Sequence, residues 1–484
     1  MANLEWEKLL SRKRQRVSNR ERQSDESSVV VRNEFESDYD RIVGSSSVRR
    51  LQDKAQVFPL QQNDVVRTRL THSIEVSAVA RSLGKAVGRR LERENKFTPD
   101  NTDELAAVLQ VAGLIHDLGN PPFGHYGEDI IRKWFSDWFS AIKYSRISLS
   151  EQEKNDLLYF DGNVQNLRIV SKLQIHNDIY GANFTYATLG TIMKYPWDSV
   201  NRPNEKKKFG YFASEEKLAE SVRAELGLGE KVRHPATYLL EAADDIIYLC
   251  DDIEDGVKKG CIDWVSEYDL VKENLADAFK ENDPLRSLFE RIDNKKVDKR
   301  LTSKEQTYSR VRNFRNAVQS YLFGCAVEEF VRRYDDIMSN DYSKVEGLEL
   351  LECEKKLIKE LQRVTRDNCF PCDEVLKLEL YGHRVITSLL DIFIPTFIAA
   401  SGKELSDTRT YAGKLFKMIS PNFVYVALYS NTPDQGCSDV KKMSDLLDNL
   451  SDYQKIQLVV DFVTGMTDSY AVNLLHELTA IKHP

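Results

Sequence analysis

No run of about 18 apolar residues occurs anywhere in this chain of 484 residues, so no segment is expected to cross a membrane as a helix. The opening stretch, MANLEWEKLLSRKRQR, has no apolar core of the kind a secretory signal needs, and a cytoplasmic location is expected. Cysteine is sparse and late: Cys250, Cys261, Cys325, Cys353, Cys369, Cys372 and Cys437 all lie in the second half, and their number is odd. Cys369 and Cys372 form one CxxC, but no second pair follows, whereas a zinc ribbon needs four ligands. Reduced thiols are therefore expected. Positive charge is not in excess either. The net charge of −8 excludes a general nucleic-acid coat and leaves an anionic ligand to be met by a local cation cluster or a metal. Alternating strand patterns, internal repeats and low-complexity linkers are also scarce.

Helical periodicity, by contrast, dominates. With 41% hydrophobic and 30% charged residues, the chain reads as globular and mostly α-helical. Residues 1–30 read as a polar, exposed arm with a short helix over Leu4–Leu10, and regular structure is expected to firm up near Val29–Phe35. Residues 31–260 should form a core and 261–484 a C-terminal helical lobe. The charged stretches Glu205–Lys208 and Asp293–Arg300 read as solvated loops or helix ends. Three helices matter. One is predicted over Val66–Arg93, with His72, Val76, Val79, Leu83 and Val87 on one face. A second is predicted over Thr102–Leu118, capped by Asn101 with Glu104 in the capping-box position and stopped by Gly119, Pro121 and Pro122. A third is predicted over Pro235–Val257, with proline in its first turn.

His72 and His116 fall on apolar faces, where an imidazole needs a partner. Asp117 sharpens the problem, because a carboxylate beside a buried histidine is costly unless something pairs with it. A divalent cation does so, and mixed imidazole and carboxylate ligands suit manganese, iron, zinc or magnesium. A further ligand should come from the third helix, where Asp244 and Asp245 interrupt an apolar run. Asp244, Tyr248 and Asp252 share a face, and Asp245 lies nearer Glu241. Both aspartates sit too deep in the helix for its dipole to explain them, and pattern alone leaves the choice between them open.

In order along the chain stand RRLQDKAQVFP (49–59), RTRLTHS (67–73), HDLGNPPFGH (116–125), FDGNVQNLR (160–168), the KYPW of Leu189–Trp197, EAADDIIY (241–248) and GMTDSY (465–470). Together these resemble the deoxyguanosine triphosphate triphosphohydrolases of the HD-domain metal-dependent phosphohydrolase superfamily. The match is strong over about residues 31–260 and looser beyond Cys261. The resemblance implies an all-α HD-type core with an added helical lobe. It also implies hydrolysis of a deoxynucleoside triphosphate, dGTP foremost, to the deoxynucleoside and inorganic triphosphate. Carried over, His72, His116, Asp117 and Asp244 would bind a divalent metal, manganese or magnesium first, with iron, cobalt, nickel or zinc as alternatives. His125 and Glu128 would be the catalytic pair. Gln56 and Val57 would line sugar and base, Arg69, Lys194 and Tyr248 would contact phosphate, and Asp252 would sense the 3′-hydroxyl. Asn120 and Arg168 join the substrate-binding set. Related enzymes outside this branch have histidine where Asn120 stands, and some relatives have threonine at Ala55. Members commonly form homo-oligomers, often hexamers, and respond to nucleotide or single-stranded DNA effectors. The competing readings are another HD phosphohydrolase, acting on a nucleoside monophosphate or a signalling nucleotide, and a non-catalytic nucleotide- or DNA-binding regulator.

Replacing Asp244 with alanine should abolish manganese binding and activity, whereas Asp245→Ala should do less. Metal titration of both variants checks this, and the reverse order would reassign the ligand.

Overall fold

A computed structural model describes residues 3–16, 33–58, 66–141, 147–174, 178–203, 207–279, 283–430 and 443–479. Cys437, Val29–Arg32 and the start of the Glu205–Lys208 stretch lie outside these. Among the described residues all regular structure is helical, and extended pairing is confined to two isolated bridges, Arg14 with Thr185 and Ala55 with Thr68. The all-α expectation is met. The helices used below are α1 (Trp6–Leu9), α2 (Arg69–Arg93), α3 (Pro99–Ile115), α4 (Gly124–Ser140), α5 (Gly162–Arg168), α6 (Tyr186–Ile192), α7 (Pro235–Lys259), α8 (Ser303–Arg332), α9 (Asp373–Ala399), α10 (Asp452–Thr464) and α11 (Asp468–Thr479).

The pair α2 and α3 forms the centre, and small residues dictate how close they come. A Cβ on Gly84 would sit 2.9 Å from Leu109 and one on Gly113 would sit 2.7 Å from the Ser77 Cα. These pairings run in opposite senses along the two helices, so the helices are antiparallel. Ser77 Oγ donates to the Gln110 carbonyl at 2.6 Å, satisfying a hydroxyl that close packing would otherwise strand. This register brings the start of α2, with His72, against the end of α3, with His116. Helix α7 packs across both and contributes Asp244. Its first turn holds Pro235, and the buried His234 ring accepts the Ala236 N–H at 3.1 Å, as a capping side chain should.

Two expectations need correction. The cap of α3 is Thr98, not Asn101. Pro99 occupies the first turn, and Asn101 returns the capping-box bond by accepting the Thr98 N–H at 3.2 Å. Glu104 is instead buried and paired with Arg12. The second correction concerns the N-terminal arm, whose described part is docked rather than exposed. Leu4, Trp6, Leu9 and Leu10 are buried, Trp6 Nε1 donates to the Tyr334 hydroxyl at 2.9 Å, and the Leu9 carbonyl receives the N–H of His234 Nε2 at 2.9 Å. These four apolar side chains, among the arm's charges, make the contact.

Helix α9 is long and apolar enough, by length and composition alone, to cross a membrane. Its buried face, including Val385, Leu389 and Phe393, packs against α10 and α4, and its Asp391 accepts the Trp134 indole N–H at 2.9 Å. It is a core helix of this fold.

Because the approach of α2 and α3 leaves no room for a methyl group, Gly113→Ala should cost about 1–3 kcal/mol. It should also weaken manganese binding, since His116 is three residues on. Thermal melting with and without manganese tests both.

Candidate metal centre and active site

His72, His116 and Asp244 converge, with ligand atoms all within 4.8 Å of one another. The Asp244 Oδ1 lies 3.1 Å from His72 Nε2 and 3.4 Å from His116 Nε2, and the two rings are 5.3 Å apart. His116 Nδ1 donates to the Gly113 carbonyl at 2.8 Å, which turns Nε2 toward the carboxylates. That Nε2 is buried and has no hydrogen-bond partner among the described residues. Burial alone would lower the His116 pKa, but Asp117 and Asp244 raise it to about 9. Burial also opposes ionisation of Asp244, yet the two imidazoles hold its pKa well below the ordinary value. A divalent cation would replace the proton this cluster otherwise attracts. The orphaned nitrogen and the nitrogen–oxygen donor set fit such an ion.

Asp117 stands at the edge of this triad. Its Oδ1 is 3.6 Å from His116 Nε2 and accepts the Asn120 amide at 2.6 Å, while Oδ2 accepts from Arg69 at 2.5 Å. Burial notwithstanding, the Arg69 guanidinium keeps it ionised. Between the neighbouring aspartates the geometry favours Asp244. Asp245 is exposed as a residue, and desolvation of its carboxyl by the surrounding protein, followed by Asp244, raises its pKa to about 7.

The loop after Asp117 delivers the acid–base candidates. His125 Nδ1 lies 3.3 Å from Glu128 Oε2, one helical turn on. Glu128 is buried, and its Oε1 accepts the Gly162 N–H at 2.8 Å. Gly162 is obligatory there: a Cβ would stand 2.4 Å from Asn120 Oδ1 and 2.8 Å from Glu128 Oε1. The His125 side chain keeps 74% of its surface open, so its ring is accessible. The bond to Glu128 raises its pKa above the ordinary histidine value.

The remaining expected residues divide. Lys194 lines a cleft with His116, Asn163, Asn166 and Asp244, and pairs with Glu241 at 3.1 Å, which also holds Arg233 at 2.7 Å. Arg69 is buried, paired with Asp117, and keeps an unpartnered Nε. Gln56 and Asp252 each present a buried oxygen without a hydrogen-bond partner among the described residues, Gln56 Oε1 and Asp252 Oδ2. Burial, reinforced by Asp255, pushes the Asp252 pKa well above the carboxylate range. Tyr248 is half-buried, its pKa raised by burial and by Asp252 and Asp244. Val57 is half-buried beside Gln56. Asn120 is spent on Asp117, so its visible work is orienting a candidate ligand.

Arg168 departs from the expectation of a substrate contact. Its guanidinium is buried, bound to Asp461 at 2.7 Å and to Glu215 at 2.8 Å, and so consumed by an internal ion-pair network between α5 and α10. Sequence reasoning also missed contributors. Asn166 donates to the His116 carbonyl at 3.2 Å, and Arg233 restrains the Glu241 that meets Lys194. The FDGNVQN stretch was visible as a motif, but nothing in its spacing announced that it braces the metal loop.

Residues 69–177 match the HD domain family. Over 99% of its length the chain is 38% identical to the whole of a deoxyguanosinetriphosphate triphosphohydrolase-like protein of Listeria monocytogenes. It is 31% identical, over the same share, to the whole of a protein so described from Pseudomonas aeruginosa. Over 93% of the chain it is 32% identical to 94% of a deoxyguanosinetriphosphate triphosphohydrolase of Salmonella paratyphi A.

Proposed function

The chain belongs to the deoxyguanosinetriphosphate triphosphohydrolase family of HD-domain proteins, and on that footing we propose that it cleaves a deoxynucleoside triphosphate, dGTP foremost, to the deoxynucleoside and inorganic triphosphate. The observation that carries the reading is the His72–His116–Asp244 triad, with its unpartnered His116 Nε2, together with the His125–Glu128 pair at the start of α4, the helix that follows the loop after Asp117. HD domains bind divalent metal, and manganese or magnesium is the ion proposed here. Such an ion, when bound, supplies Lewis-acid polarisation of a phosphoryl oxygen and acidifies an attacking water.

The residues of the chain do the rest. Water attacks the α-phosphorus, and the bond from that phosphorus to the sugar 5′-oxygen breaks. The departing alkoxide is a poor leaving group, so it needs a proton as it leaves. His125 donates it. Glu128 raises the imidazole pKa, which favours the acid form, and the Gly162 N–H fixes Glu128 in place. Lys194 and Arg69 supply positive charge toward the phosphates, and Tyr248 offers a hydroxyl. Asp252, whose pKa burial pushes up, meets the 3′-hydroxyl, and Gln56 with Val57 borders the sugar and base.

Incubation with each of the four deoxynucleoside triphosphates and manganese, singly and mixed, should release inorganic triphosphate from at least one. Orthophosphate or pyrophosphate as the product would point to a different HD hydrolase. The pH profile should lose activity as pH rises through the raised pKa of His125, because the acid form is the working one. In Glu128→Gln that limb should move to lower pH and kcat should fall about 10²–10⁴-fold. A limb that stays put would remove Glu128 from this role.

A further inference from the structure

The GMTDSY stretch has no part in the chemistry above, yet its Asp468 is buried at the first turn of α11 with both oxygens committed. Oδ1 accepts the Phe123 N–H at 2.9 Å and Oδ2 accepts the Ala55 N–H at 3.0 Å. Both donors adjoin residues of the candidate site. Phe123 precedes α4 and stands two residues before His125, while Ala55 adjoins Gln56 and Val57. Phe123 also adopts φ 63° and ψ 17°, a left-handed conformation that a bulky residue holds only when its surroundings impose it. Its ring lies against Gly382 of α9, where a Cβ would come within 2.7 Å. Neighbouring contacts tie the same three segments. Buried Lys54 donates to the Asn120 carbonyl at 2.5 Å and to the Thr464 carbonyl at 3.0 Å, and Ser469 donates to Asp53 at 2.9 Å.

We propose that Asp468 is a positioning residue: by gripping the Phe123 and Ala55 amides at once, it sets His125 against the scissile bond and aligns the sugar-and-base segment with the catalytic loop. This rests on His125 donating the proton, as proposed above. Asp468→Asn keeps the shape but turns one acceptor into a donor aimed at an N–H. Expected with dGTP is a fall of about 100-fold in kcat per bound manganese, with manganese stoichiometry unchanged. Asp468→Glu, which retains two acceptors, should recover part of the loss. A purely structural role would lower the yield of folded enzyme and leave kcat per manganese site intact. A folded Asp468→Asn enzyme within about threefold of wild-type kcat would overturn the proposal. Should neither variant fold, hydrogen exchange on the wild-type protein decides: slow exchange at Phe123 and Ala55 supports the grip, and exchange at open-loop rates overturns it. His125→Ala separates the two levels. If it is inactive while the Asp468 variants are normal, only this inference fails. If wild-type enzyme releases triphosphate and His125→Ala matches it, the acid assignment fails and the inference goes with it.

Discussion

One carboxylate between two imidazoles organises this molecule. Asp244 meets His72 and His116 where three helices cross, within an interior otherwise built from Val76, Ala112, Ile115 and Ile246. Placing ionisable groups there is costly unless each finds a partner. The glycine-mediated approach of α2 and α3 supplies the proximity, and Arg69 supplies a counter-charge for Asp117. With both imidazoles neutral, two carboxylates against one guanidinium leave a single net negative charge. A dication reverses that sign, and a triphosphate would then meet an attractive centre rather than a repulsive one.

The surrounding cations are allotted rather than free. Lys194 and Arg233 share Glu241, so these three groups together carry one surplus positive charge held at a fixed place beside the cleft. Arg168 lies near in sequence to the bracing loop, but its charge is consumed internally by Asp461 and Glu215. An arginine in a family motif can thus serve the scaffold instead of the ligand, and only the partners decide which.

What was legible in the sequence follows from distance along the chain. Helical phase exposed His72 and His116 because periodicity is local, and it placed α7 within two residues of its end. The cap of α3 was misread because Asn101 and Thr98 are both good capping residues, and Pro99 decided between them by occupying the first turn. The choice of Asp244 over Asp245 was closed to phase, since both interrupt the same apolar run. The partners of Arg168 were equally hidden: Asp461 lies 293 residues away. The arm was misjudged because its charges outnumber the few apolar side chains that seat it.

The grip on the loop before His125 also has a place in time. Every member of the metal triad has been synthesised once Asp244 emerges, but the carboxylate that holds the Phe123 amide follows 345 residues after that amide. A growing chain therefore has its candidate metal ligands well before it has the contact that holds the Phe123 amide. Nascent chains still on the ribosome, and fragments released early, lack that contact, so the Phe123 amide gains its partner only near the end of translation.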